Sequence, residues 1–127
     1  MGYYTTYNLN IEIQNATKGT KNLNIWPDII SDLRESNENA KYALSDDGDT
    51  SESCKWYSHE SDIINFSIKY PDYLFILSGE GEESGDIWKK YFKNGMSQIC
   101  KARVIFDEFN ESKMISAYRD KQINKII

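Results

Sequence analysis

The residues with the clearest chemical potential are one histidine, two cysteines and several dense runs of charge. His59 stands between Ser58 and Glu60, with Asp62 close behind. A histidine oriented by a neighbouring carboxylate can act as a general base. The same position suits an exposed residue in the first turn of a helix, and that is the role expected of it. Cys54 and Cys100 are widely separated and form no CxxC pair. Even with His59 they fall short of the about four nitrogen and sulfur ligands of a structural zinc site. They are expected to be free thiols in a reducing cytosol. The Asp46-Asp47-Gly48-Asp49 run lacks the alternating ligands and distal glutamate of a calcium loop. No Gly-x-Ser-x-Gly elbow, phosphate-binding loop or dinucleotide fingerprint occurs. The expectation is a chain that is not an enzyme, with no catalytic residue, cofactor or metal.

Charge is spread unevenly. The 127 residues carry a formal −5, but residues 46–86 hold eleven acids against Lys55 and Lys69, a local −9. Residues 87–127 carry +5 and the first 45 carry −1. The acids concentrate in two loops, one with Asp46, Asp47 and Asp49, the other with Glu80, Glu82, Glu83 and Asp86. Such carboxylates can contact a basic protein, or imitate a phosphate backbone and occupy a nucleic-acid channel. They can equally be a solvated rim that keeps a strand edge soluble. The basic region has a different character. Trp88, Lys89, Tyr91, Lys93, Lys101 and Arg103, with Lys90 and Phe92 among them, combine cations for phosphate with rings for stacking. That combination on an open sheet face would bind single-stranded nucleic acid.

The elements that must position these groups can be read from periodicity. Tyr3 to Gln14 alternates apolar and polar residues, which predicts a long half-buried strand. Asn15 to Asn24 is polar and turn-rich. Pro27 suits the first turn of a helix whose apolar stripe is Trp26, Ile29, Ile30 and Leu33, fading near Asn37. Tyr42-Ala43-Leu44 is expected to be a short second strand. Ser58 is a candidate cap for a second helix, packed through Ile63, Ile64, Phe66, Ser67, Ile68 and Tyr70 and stopped by Pro71. Tyr73 to Leu77 is apolar on both parities and predicts a central strand.

Ile87–Lys93 and Ser97–Phe106 flank Asn94-Gly95, a strong hairpin signal. A two-residue turn sets Phe92 opposite Ser97. A three-residue turn sets Phe92 opposite Gln98 and groups Trp88 and Phe92 with Cys100, Ala102, Val104 and Phe106. The second separates apolar from charged residues better and is the expected register; a slip of one residue exchanges the faces. Ile115, Tyr118, Ile123 and Ile126 predict a C-terminal amphipathic helix docked on the domain. Length supports one domain over 1–127, with 107–127 as a helical extension. The apolar runs are far short of the ~20 residues that span a bilayer, and no signal peptide is visible, so a soluble cytoplasmic protein without membrane association is expected.

Cys54-Lys55-Trp56-Tyr57, the helix end Lys69-Tyr70-Pro71-Asp72, the acidic run Gly79–Asp86 and Tyr91-Phe92-Lys93-Asn94-Gly95 together resemble small uncharacterised proteins of bacteria and their phages. More loosely, they resemble the YubB-type ferredoxin-like domains of plasmids and phages. The likeness covers about residues 40–106. It implies a ferredoxin-like fold and a phage or mobile-element setting, and it carries over no active-site residue.

The combined expectation is an α+β ferredoxin-like sandwich. Its antiparallel sheet has about five strands, two helices on one face and a C-terminal helix. In function it is a protein-binding module, an inhibitor of a bacterial defence system of the anti-CRISPR kind. It would occlude a basic or nucleic-acid-handling host protein through Asp46, Asp47, Asp49, Glu80, Glu82, Glu83 and Asp86. The alternatives are a single-strand nucleic-acid binder using the basic hairpin, and a small-ligand or nucleotide-binding protein or enzyme using His59.

Overall fold

The computed structural model describes residues 2–14 and 25–126, without side chains after residue 122. It is an α+β arrangement with one antiparallel sheet of four strands and four helices. The strands are β1 (Thr5–Ile13), β2 (Tyr73–Gly81), β3 (Ile87–Lys93) and β4 (Met96–Lys101), side by side in chain order. Between β1 and β2 run α1 (Trp26–Ser36), α2 (Glu38–Ala43) and α3 (His59–Ser67); α4 (Glu111–Ile126) follows β4. The polar stretch over 15–24 lies outside the described residues.

The period of two in β1 becomes a buried face of Thr5, Tyr7 and Leu9. On β2, Tyr73, Phe75 and Leu77 share that face, since Leu9 stands opposite Leu77 and Ile11 opposite Phe75. On β3 the same face is Trp88, Lys90 and Phe92. Ile29 and Leu33 of α1, Ala40 and Ala43 of α2, Ile63 and Phe66 of α3, and the loop residues Leu44 and Trp56 close over it as one core. Gly79 admits the indole of Trp88 directly onto the backbone of β2; a Cβ at 79 would clash with the ring. The opposite face of the sheet has no helix on it among the described residues.

Several expectations are corrected. Strands number four rather than about five, because Tyr42-Ala43-Leu44 is no strand. Asn37 Oδ1 accepts from Ala40 N at 3.0 Å and starts a second short helix, in which Ala40 and Ala43 are buried at helical spacing. Two small residues three apart suit close helix packing better than a pleated surface. Only Leu44 is extended, in an isolated bridge to Thr50. In α3, Ser58 makes no side-chain cap. Its hydroxyl donates to Asp62 at 2.8 Å, and the helix ends at Ser67, before Pro71 can stop it. Ile68 and Trp26, expected on packing faces, are exposed.

The hairpin takes the two-residue turn. Phe92 pairs with Ser97 and Trp88 with Lys101, not the expected register. Asn94 and Gly95 have φ of 46° and 79°, the doubly left-handed turn whose twist matches that of the strands. Gly95 N donates to Ser67 Oγ at 2.9 Å, which ties the turn to the end of α3. Cys100 therefore lies on the open face, and Val104 and Phe106 lie beyond β4, which stops at Lys101. The expected docking of the tail is not seen either: residues 102–121 are exposed throughout. Ile123 and Ile126 lie outside the described side chains. Both thiols are free.

Phe92 is fully enclosed between β2 and the helices. Phe92→Ala is expected to cost about 3–5 kcal/mol in urea unfolding. A loss under about 1 kcal/mol would contradict its placement in the core.

Candidate functional site

The expected acidic residues gather along one margin of the sheet. Segment 45–54 runs beside the outer edge of β1. Leu9 N donates to Gly48 O at 2.8 Å, and Thr5 and Cys54 exchange two bonds of 3.0 Å. Thr50 Oγ1 donates to Tyr7 O at 2.7 Å and Asn8 Nδ2 to Asp49 Oδ1 at 3.1 Å. The β2–β3 loop is clasped to the start of the same strand. Tyr4 N donates to Glu82 Oε1 at 3.0 Å, Tyr3 OH to Asp86 at 2.6 Å, and Glu83 N to Tyr3 OH at 2.9 Å. Glu80 stands opposite Thr6. Tyr4, Thr6, Ser53, Glu80 and Glu82 line a shallow depression of about 550 Å³.

The seven acids are not equivalent. Asp46 pairs with Arg34. The Asp47 carboxylate accepts from Ser45 Oγ at 2.5 Å and from Asp49 N at 3.0 Å, and the Ser45 bond holds it below the usual aspartate range. Asp86 is occupied by Tyr3. These three shape their loops. Glu80, Glu82 and Glu83 are exposed.

The basic and aromatic set is divided by the hairpin register. Lys89, Tyr91 and Lys93 lie on the open face, with Gln98 opposite Tyr91. Trp88 and Lys101 point to the other face, and Arg103 lies past the end of β4. The six residues therefore do not make one platform.

Sequence reasoning missed what Trp88 does instead. Lys90, on the inward face, is buried and lies over the Trp88 ring, 4.2 Å from its centre. Its ammonium donates to Glu60 Oε1 and His59 Nε2, both at 2.6 Å. His59 stacks on Trp88 with centroids 5.1 Å apart and planes 10° from parallel. Its Nδ1 is 2.7 Å from Trp56 O. These partners assign a neutral ring with the proton on Nδ1. Burial and then the Lys90 charge push its pKa down, against the backbone acceptor at Trp56 and the carboxylates of Glu60 and Asp62. The Lys90 bond holds Glu60 below its usual range. Trp56 Nε1 donates to Asp62 at 2.8 Å, which completes the cluster. His59 is thus half-buried rather than an exposed first-turn residue. Both ring nitrogens are engaged, so neither offers a lone pair to a substrate. The signal in the sequence is Lys90 at a position of inward parity between Trp88 and Phe92, but parity cannot show that α3 supplies its partners.

Beside this cluster, Glu60, Glu83, Asp86, Trp88, Lys90 and Lys101 border an open cleft of about 750 Å³ with mixed charge. No family model, curated protein or solved structure matches the chain.

The pH dependence follows from the sign of the histidine shift. The unfolded chain takes up His59's proton near pH 6.5, where the folded chain resists it. The stability contributed by neutral His59 is therefore complete above about pH 6.5 and falls as pH drops below it. The difference in Tm between the wild type and His59→Phe, which keeps a ring but cannot titrate, should shrink from about pH 7.5 to about pH 5. A constant difference across that range would contradict the assignment.

Proposed function

We propose that this chain is a non-enzymatic binding module that occludes a basic surface of a partner protein through its acidic margin. The observation that carries the reading is the convergence of acids distant in sequence. Asp49 and Glu80, Glu82 and Glu83 are anchored by backbone or side-chain bonds along β1 and the two residues before it, with several carboxylates left to solvent. Carboxylates carried on anchored backbone present a negative field, which speeds encounter with a cationic surface and penalises like-charged ones. Carboxylates along one margin can also imitate a phosphate backbone. We therefore place the partner among nucleic-acid-handling host proteins, and the setting as a phage or mobile element acting against a bacterial defence system. The ferredoxin-like kinship belongs to the same proposal. An antiparallel sheet with helices on one face supports it, while the strands lie in chain order, β1-β2-β3-β4.

A second reading has its own observation. Lys89, Tyr91 and Lys93 share an uncovered sheet face, an arrangement able to stack and neutralise a short single strand. Trp88 and Lys101 take no part in it.

The two readings separate in one set of measurements. Glu80→Lys, Glu82→Lys and Glu83→Lys combined should abolish capture of the host partner in a pulldown while the circular dichroism spectrum is unchanged. Unaltered capture at low salt would end the first reading. Lys89→Glu with Lys93→Glu should abolish binding to single-stranded oligonucleotides under the second, and the wild type's affinity should fall steeply with salt. Absence of any oligonucleotide binding at low ionic strength would end that one.

A further inference from the structure

The two edges of the sheet are treated differently. β1 is sheltered by segment 45–54, which bonds to it at Leu9 and Thr5. β4 has no strand beside its outer edge among the described residues. Edges that stay single are commonly blunted by charge, proline, a bulge or a cover. β4 reads Met-Ser-Gln-Ile-Cys-Lys, with one lysine at its end, no proline, and unbroken pairing to β3.

The direction of its free backbone groups follows from one bond. Ala102 N donates to Ile87 O at 2.9 Å. Antiparallel ladders alternate, so Ser97, Ile99 and Lys101 turn their N–H and C=O groups away from β3. These three positions are symmetric about Ile99. Apolar side chains are exposed on this strand and near it. Met96 and Ile99 are exposed, Ile68 is exposed beside Gly95, and Val104, Ile105 and Phe106 are exposed by 73% to 86%. Exposed apolar side chains on and after an unpaired edge strand favour its pairing with another strand.

We propose that the protein forms a two-fold dimer in which β4 pairs antiparallel with β4 of a second copy, centred on Ile99. In that register Ile99 faces Ile99 and Ser97 faces Lys101, so every outward backbone group finds a partner and no lysine meets a lysine. The sheet becomes continuous across the pair. Val104 of each chain passes the hairpin turn of the other, toward its Met96 and Ile68. Because segment 45–54 occupies the outer edge of β1 from Thr5 to Leu9, β4 is the open edge among the described residues, and association closes at two copies instead of propagating into a fibre. A strand of another protein could bond to the same groups, but the chain's own copy is favoured because this register sets apolar against apolar at the axis and serine, not lysine, against each lysine.

Sedimentation velocity on the full chain over a range of concentrations tests this, together with amide exchange at Lys101. The expected result is a dimer whose Lys101 amide exchanges slowly. Ile99→Pro removes only an outward N–H and should leave a monomer with fast exchange at Lys101. Ile99→Lys sets two cations against each other at the axis and should do the same, which covers the case where proline disturbs the hairpin. A wild type that is monomeric throughout overturns the proposal. So does a dimer that survives both substitutions, or one lost only when the residues after Arg103 are removed.

Discussion

The buried ammonium of Lys90 is the constraint around which the domain is organised. A lysine on the core face of a central strand is costly to desolvate unless it is paired and hydrogen-bonded. Here Glu60 neutralises it, His59 Nε2 accepts a second hydrogen bond from it and the Trp88 ring lies beneath it. All three contacts must hold together, and that sets the distance between α3 and β3. It also determines the face on which β3 presents Trp88 and Phe92. With Phe92 inside, the turn at Asn94-Gly95 and the line of β4 follow.

The same constraint explains why parts of the fold are readable from residues alone and others are not. β1 and β2 are clear because their faces differ along the chain, and α1 is clear because its stripe is apolar and its start carries a proline. α2 is hidden because alanines at helical spacing and a capping asparagine give a weak signal beside Tyr42 and Leu44, which look strand-like. The hairpin register is hidden for a sharper reason. Segregating apolar from charged residues is the natural criterion, and it favours the wrong turn, because β4 is an edge strand whose Ser97, Ile99 and Lys101 stay exposed beside the core face and need not be apolar. Nothing near Lys90 in sequence shows that its partners arrive from His59 and Glu60, 31 and 30 residues earlier.

The candidate surfaces divide along similar lines. The acidic margin is legible as composition, but which carboxylates stay free depends on contacts from afar. Arg34 reaches Asp46 from α1, and Tyr3 reaches Asp86 from the start of the chain. The basic hairpin is legible as a list of residue types, yet alternation across β3 sends its aromatic and cationic members to opposite faces. Charge and type survive the translation from sequence to structure; grouping does not.

The seat of Trp88 on Gly79 has a consequence for descent. A side chain at 79 and an indole at 88 cannot occupy the same space. Any relative of this protein that carries a larger residue at the first position must carry a smaller ring, or none, at the second. A smaller group at 88 would in turn uncover Lys90 and strip His59 of its stacking partner. Positions 59, 60, 79, 88 and 90 should therefore change as a set among divergent copies, each lineage keeping the whole arrangement or replacing the whole of it.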